Sequence, residues 1–107
     1  MSARERLPNR RPSVKLRFEY GSGKPLQYEG TYGLYPDGRV GEVFLEAGKA
    51  GTDVESFTHD AAIAVSIGLQ YGVPLEVFRE AFLRNEDGSP ASALSTFTDL
   101  VASDLAQ

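Results

Sequence analysis

The sequence contains no cysteine and only one histidine among its 107 residues. The lack of cysteine excludes disulfides, thiolate metal sites and a cysteine nucleophile, and one histidine excludes metal sites built from several histidines. No apolar run approaches the roughly 18 residues that a membrane-spanning helix needs. The basic N-terminus is not followed by the apolar core of a secretory signal. We therefore expect a cytoplasmic protein with no metal and no membrane contact.

The charge is distributed unevenly along the chain, although the net charge is only −4. Residues 1–24 carry seven Lys/Arg and two acids, a net charge of +5, whereas residues 25–107 carry four Lys/Arg and thirteen acids, a net charge of −9. A basic segment on an acidic body indicates either a contact with something negative or a solvated tail. The negative partner would be nucleic acid, a nucleotide phosphate or the acidic body of another subunit.

The basic segment begins as an extended arm, which we assign to residues 1–12, ahead of a single domain at residues 13–107. Pro8 and Pro12 bracket an extended segment that leads into the first strand. The candidate residues for contact with a polyanion or a partner are Arg6, Arg10 and Arg11. A protein whose main ligand was DNA would usually be basic as a whole, so nucleic acid is the less favoured partner.

Alternation of apolar and polar residues predicts strands at residues 14–20 and 27–34, because a period of two is typical of a half-buried strand. A Pro-Asp-Gly turn at residues 35–39 leads into a third strand at residues 40–46. These strands predict a three-stranded antiparallel meander. Glycines inside the strands predict bulges or a close approach of other groups to the backbone, and they are Gly30, Gly33 and Gly41.

After the third strand, the spacing of the apolar residues changes from the period of a strand to that of a helix. Residues 52–55 form a capping box, and the helix extends to about Tyr71. A second helix begins near Pro74, and a third has Ser89 as its N-cap and Pro90 as its first residue. Three strands followed by three helices predict an α+β fold with the helices packed on one face of the sheet.

The first helix contains the run AAIAVSIGL at residues 61–69, which is apolar or small throughout. Such a helix is usually buried on more than one side. Either the other two helices cover its remaining surface or a second copy of the chain does, and two-fold homodimers are the commonest closed assembly. Ala64 and Gly68, one turn apart, would allow another helix to approach closely.

The loop between the third strand and the first helix combines glycines, a lysine and a helix N-terminus, all of which favour anions. It is not a P-loop, because Val43 stands where the first glycine is required and Ala50 replaces the metal-binding hydroxyl. The alternative is an ordinary tight turn with a solvated lysine. The candidate phosphate-binding residues are Gly48, Lys49, Gly51 and Thr52.

No nucleophile, base and orienting residue can be combined into a catalytic set. His59 and Asp60 are adjacent and do not face each other on a helix. Glu42 and Glu46 share a strand face, but nothing indicates a substrate between them. Three tyrosines are typical of a core and alternatively of a base-stacking platform: Tyr28, Tyr32 and Tyr35. We expect no catalytic residue, no metal ligand and no cofactor.

Three blocks of sequence resemble a known family: RLPNRRPSVKLRFEY, YPDGRVGEVFLEAGKAGTD and DAAIAVSIGLQYGVPLEVFREAFLRNEDGSPASAL. Over about residues 6–94 they look like the TSCPD domain, found at or near the C-terminus of adenosylcobalamin-dependent (class II) ribonucleotide reductases. In that family the radical chemistry belongs to a large catalytic barrel with its cofactor and cysteines. The resemblance therefore implies a link to deoxyribonucleotide synthesis without reductase activity by this chain alone.

Two functions remain open. The first is a non-catalytic accessory module related to the C-terminal domain of class II ribonucleoside-diphosphate reductase, partnering a reductase, another protein or a second copy of itself. The second is a nucleotide- or nucleic-acid-binding module that uses the basic arm and the Gly-Lys-Ala-Gly loop.

Overall fold

The computed structural model describes residues 3–47 and 53–107. Three strands precede three helices: β1 (Ser13–Tyr20), β2 (Leu26–Leu34), β3 (Val40–Ala47), α1 (Asp53–Gln70), α2 (Leu75–Ala81) and α3 (Ala93–Leu105). This order confirms the predicted α+β fold. None of the helices in the described part of the chain is long and apolar enough to cross a bilayer.

The strands form an antiparallel sheet in the order β1-β2-β3, as the alternating pattern predicts. The register aligns Leu16 of β1 with Gly30 of β2, and Gly30 with Leu45 of β3. Since side chains alternate between the faces of a sheet, the alternating apolar residues of the three strands share one face, whereas Phe44 of β3 lies on the other and is 43% exposed. α1 and α3 contribute apolar side chains to the same core, among them Val65 and Phe97.

The strand glycines lie where side chains cross the sheet closely. A Cβ on Gly30 would overlap the ring of Phe97, a Cβ on Gly41 would overlap the ring of Tyr35, and the backbone of Gly33 lies under the side chain of Glu42. The predicted close approach is thus confirmed at all three positions. Phe97 is fully buried, so α3 lies directly against the middle strand.

α1 packs along β3, on the side of that strand away from β2. The Ser66 hydroxyl accepts a hydrogen bond from the Val43 N–H at 2.8 Å. Its own hydrogen has two acceptors in reach, the Val43 carbonyl at 2.8 Å and the Ala62 carbonyl at 3.0 Å. One turn later, the Gln70 side-chain amide donates to the Gly41 carbonyl at 3.0 Å. These contacts provide hydrogen-bond partners for backbone groups of β3 that are not hydrogen-bonded to β2.

α2 is short and packs on the C-terminal half of α1. Pro74 is its N-cap, which agrees with the predicted start. A Cβ on Gly68 would overlap the Phe78 ring. The absence of a side chain at Gly68 therefore allows α2 of the same chain to pack closely against α1. Ala64, its predicted companion, is exposed.

α3 begins three residues later than predicted, so the assignment of Ser89 as its N-cap is wrong. The Ser92 side chain is the cap and accepts from the Ser95 N–H at 3.0 Å. Ser89 instead donates to the Asp87 carboxylate through its hydroxyl at 2.5 Å and its N–H at 2.9 Å. Because Asp87 holds Ser89 in a turn, the hydroxyl is not free to cap a helix.

Two arginines join α2 and its following loop to α3 through one carboxylate. Arg84 donates to both oxygens of Asp99 at 2.7 and 2.8 Å, and Arg79 Nε donates at 3.0 Å. The hydrogen bonds from Arg84 above all, with those from Arg79, lower the pKa of Asp99 below its usual range. Asp99 is therefore ionised in the folded protein and serves as a structural link.

We expect Ser66→Ala to lower the free energy of unfolding by about 1–3 kcal/mol, because it leaves the buried N–H and carbonyl of Val43 without a partner. Urea denaturation of the two proteins measures the difference. Ser56→Ala, at an exposed position of the same helix, is the control and should change stability by less than about 0.5 kcal/mol. Equal effects of the two substitutions would contradict the role given to Ser66.

Candidate functional site

The N-terminal arm is tied to the body of the protein by backbone hydrogen bonds. The Glu5 N–H donates to the Gln70 carbonyl at the end of α1, at 2.8 Å. The Glu5 carbonyl accepts from the Tyr35 hydroxyl at 2.5 Å. Further along, the Leu34 N–H donates to the Pro12 carbonyl at 2.9 Å. The arm thus links the end of α1 to β2 and the turn that follows it.

Arg11 neutralises a buried carboxylate. Its Nε and Nη2 donate to the two oxygens of Glu42 at 2.5 and 2.9 Å, and its Nη1 donates to the Pro8 carbonyl at 2.7 Å. The Glu42 side chain is only 8% exposed. The hydrogen bond to Glu42 raises the pKa of Arg11 above its ordinary value. All three nitrogens of this guanidinium therefore donate hydrogen bonds within the protein, and few of its donors remain for a polyanion.

Arg6 and Arg10 differ from Arg11, because both are exposed and neither has an ion-pair partner among residues 3–47 and 53–107. Arg4 lies nearby, where its Nε donates to the Gln70 side-chain oxygen at 2.8 Å. The three predicted contact residues are therefore not equivalent. Arg6 and Arg10 are the ones whose charge faces solvent.

The predicted phosphate-binding residues Gly48, Lys49, Gly51 and Thr52 lie outside the described residues, so the anion site stays a prediction. β3 ends at Ala47 and α1 begins at Asp53, on either side of these residues. His59 and Asp60 are both exposed, with Nδ1 and Oδ1 3.4 Å apart.

The three tyrosines belong to the core, as the first alternative for them predicts. Tyr28, Tyr32 and Tyr35 are 5%, 2% and 3% exposed. The Tyr32 hydroxyl donates to the Asp104 carboxylate at the end of α3. Burial, and then that hydrogen bond, raise the pKa of Tyr32 to about 12. These rings cannot serve as a stacking platform for bases, because they are covered by the protein.

Three carboxylates each have a structural partner: Arg11 for the buried Glu42, Tyr32 for the partly buried Asp104, and two arginines for the partly buried Asp99. In the described ranges, no three acidic or histidine side chains lie close enough together to hold a metal ion. The one histidine, His59, lies elsewhere, in a cleft beside the first turns of α1 that Glu46, Glu55 and Asp60 also line.

The structure contains an apolar groove of about 490 Å³, which we call the terminal groove. It lies where the turn before β3, the junction of α1 and α2, and the end of α3 meet. Its lining is mostly apolar, and two charged residues, Arg39 and Glu76, line it as well. The apolar residues include Val40, Leu69, Val73, Pro74, Leu75 and Leu105. Sequence reasoning missed the groove because these residues come from separate segments that only the folded chain brings together.

Comparisons with known proteins agree with the resemblance. The sequence model of the TSCPD domain matches residues 5–107. The vitamin B12-dependent ribonucleotide reductase of Agrobacterium fabrum strain C58 is 44% identical over 79 residues, 74% of this chain and 6% of that protein. The protein of the same name from Bradyrhizobium diazoefficiens is 43% identical over 82 residues, 77% of this chain and 6% of that protein.

A third relative, the vitamin B12-dependent ribonucleotide reductase of Streptantibioticus cattleyicolor, is 42% identical over 79 residues, 74% of this chain and 13% of that protein. The chain therefore spans between 6% and 13% of the length of these three relatives. No solved structure matches this chain.

We expect Arg11→Ala to lower the free energy of unfolding by about 1.5–3 kcal/mol, because it removes charge-assisted hydrogen bonds and leaves the Glu42 carboxylate unpaired. Arg10→Ala removes the same charge from the adjacent exposed position and is the matched control, with an expected change of less than about 0.5 kcal/mol. Thermal and urea unfolding of both variants provide the measurement. A stability loss shared equally by Arg10→Ala would refute the assignment of Arg11 to the fold.

Proposed function

We propose, from the premise that this chain belongs to the TSCPD domain family, that it is a non-catalytic module that binds a vitamin B12-dependent ribonucleotide reductase in the cytoplasm. It would thereby contribute to deoxyribonucleotide synthesis. The observation that carries the proposal is the similarity to reductases over only 6% of the length of the Agrobacterium protein. We take a segment that small to be an accessory part of such an enzyme, acting through contact with the rest.

The composition of the chain and the pairing of its carboxylates support the non-catalytic half of the proposal. The chain has no cysteine, the residue that supplies the radical and reducing thiols in the reductases that it resembles. Its buried carboxylate at Glu42 and its partly buried carboxylates at Asp99 and Asp104 bind arginine or tyrosine side chains. They are therefore occupied in holding the fold.

The terminal groove is the surface that suits a protein partner. Its lining is mainly apolar, with Arg39 and Glu76 among the residues around it. Both charges already have partners within the chain, Asp37 for Arg39 and Arg79 for Glu76. An apolar centre surrounded by satisfied polar groups is typical of a protein–protein interface. We assign the groove to an apolar segment of the reductase.

The nucleotide- or nucleic-acid-binding alternative has less support. It depends on the basic arm and on Lys49, and the pairing of Arg11 with Glu42 removes one arginine from the available charge. Residues 25–107 carry a net charge of −9, which repels a polyanion.

The purified chain is expected to form no deoxyribonucleotide when supplied with ribonucleotide, a dithiol reductant and adenosylcobalamin. The physical reason is that the chain has no thiol to carry the radical or the reducing electrons. Chromatographic quantification of the product against a protein-free blank is the measurement. Turnover above that blank would disprove the non-catalytic assignment.

The chain should bind the reductase of its own source organism, and Leu105→Asp should weaken that binding about tenfold or more, because it introduces a charge into an apolar contact. Leu105 lines the groove and is 41% exposed, so the fold should tolerate the substitution. Titration calorimetry with the purified reductase gives both affinities.

Leu83→Asp is the matched control for this experiment, because Leu83 is 76% exposed and does not line the groove. Its reductase affinity should equal that of the unmodified chain. Equal affinities of all three proteins would remove the groove from the proposal, and the absence of binding by the unmodified chain would reject the proposed function.

A further inference from the structure

α1 carries a stripe of residues that face away from the core. The stripe, which we call the outer stripe, consists of Phe57, Asp60, Ala64, Ile67 and Tyr71 and repeats at alternating steps of three and four residues. All five are exposed, and Phe57, Ile67 and Tyr71 are 74%, 39% and 44% exposed. Three-and-four spacing of this kind is the pattern by which helices pack side by side.

The described part of the chain leaves the outer stripe uncovered. α2 approaches α1 beside the stripe, at Gly68, where Phe78 takes up the available space. The opposite face of α1 is the one that enters the core, through Ala62 and Leu69. An exposed phenylalanine, isoleucine and tyrosine in one row form the kind of apolar surface that marks an interaction site.

Charges at the two ends of the stripe indicate what covers it. The N-terminal end is acidic, since Asp53 lies in the first turn of α1 and the Asp60 side chain is 83% exposed. The end of α1 has arginines of the arm beside it, because Arg4 is hydrogen-bonded to Gln70, the last residue of the helix. Arg6 has no ion-pair partner among the described residues, and the acid between them, Glu5, is paired with Arg39. One end of the stripe therefore complements the other.

From this self-complementarity we infer that a second copy of the chain covers the outer stripe, with the two α1 helices antiparallel and Ala64 at the two-fold axis. In that arrangement Phe57 of each copy lies opposite Tyr71 of the other, and the small Ala64 allows close approach. The arginines of each arm lie beside the acidic end of the other copy. A parallel arrangement would bring like charges together, which is unfavourable.

This contact uses neither the terminal groove nor the reductase, so it does not depend on the proposed function. It gives the basic arm a negative partner, the acidic helix start of another subunit. It also accounts for the apolar character of the helix beyond the face that meets its own sheet.

Sedimentation equilibrium of the full chain at micromolar concentration should give a species of twice the chain mass of 11.6 kDa. Ala64→Glu should weaken this association at least about tenfold, because it brings two carboxylates together at the axis. Alanine and glutamate are both good helix formers, so the circular dichroism and the melting temperature of the monomer should remain unchanged. His59→Glu adds the same charge to an exposed position outside the stripe and should leave the dimer intact.

The absence of native cysteine allows the orientation to be tested by single thiols. A mixture of Phe57→Cys and Tyr71→Cys chains should be cross-linked by a short bismaleimide, and Phe57→Cys alone should not, because the two copies of position 57 would be separated by about 21 Å along the helix axis. Ala64→Cys alone should cross-link, and His59→Cys alone should not. These readouts do not depend on the Ala64→Glu variant.

Three results would overturn the inference. The first is a single species at the chain mass across the concentration range. The second is a dimer that Ala64→Glu leaves unchanged, which would locate the interface elsewhere. The third is efficient cross-linking of Phe57→Cys with itself, which would mean parallel helices.

Discussion

The hydrogen bonds between Ser66 and Val43 fasten α1 to the outer side of β3, and much of the architecture depends on that attachment. A strand at the edge of a sheet exposes backbone groups that readily pair with another chain. Here a helical hydroxyl and, one turn later, the Gln70 amide take up those groups. The helix therefore closes one edge of a three-stranded sheet that would otherwise be open. Its position also decides that the outer stripe faces outward.

Gln70 extends this attachment to the N-terminal arm. Its side chain bonds the Gly41 carbonyl and the Arg4 guanidinium, and its backbone carbonyl accepts from Glu5. Arg11 then pairs with Glu42, the next residue of the same strand, β3. The arm is thus part of the folded domain, and its positive charge is divided between a structural role at Arg11 and exposed charge at Arg6 and Arg10.

The chemistry of the domain is consistent with binding. The buried Glu42 carboxylate is paired with Arg11, and the apolar surfaces available to a partner include the terminal groove and the outer stripe. These surfaces consist of different residues, so the proposed contact with a reductase and the proposed contact with a second copy do not exclude each other. A module of this kind would influence a reductase by assembly, in keeping with its similarity to a small part of the vitamin B12-dependent enzymes.

The sequence by itself determined the order and type of the elements, because period, turn chemistry and capping act over a few neighbouring residues. It also indicated the close contacts at Gly30, Gly33 and Gly41, since a glycine inside a strand often marks a place where another group approaches the backbone. The family could be recognised for the same reason, because its motifs are local runs of residues. The helix start at Ser92 was misjudged because two serines three residues apart compete for the cap, and only the bond from Ser89 to Asp87 decides between them.

The candidate sites depended on the tertiary structure. The partner of Arg11 is 31 residues away in the sequence, and no local pattern distinguishes Arg11 from Arg10 beside it. Gly68 and Ala64 look alike in the sequence, yet α2 covers only the first. The terminal groove combines residues from the β2–β3 turn to the end of α3. The tertiary structure decides which side chains are paired within the protein and which remain available to a partner. The physical reason is that only the folded path of the chain brings residues distant in the sequence within bonding distance.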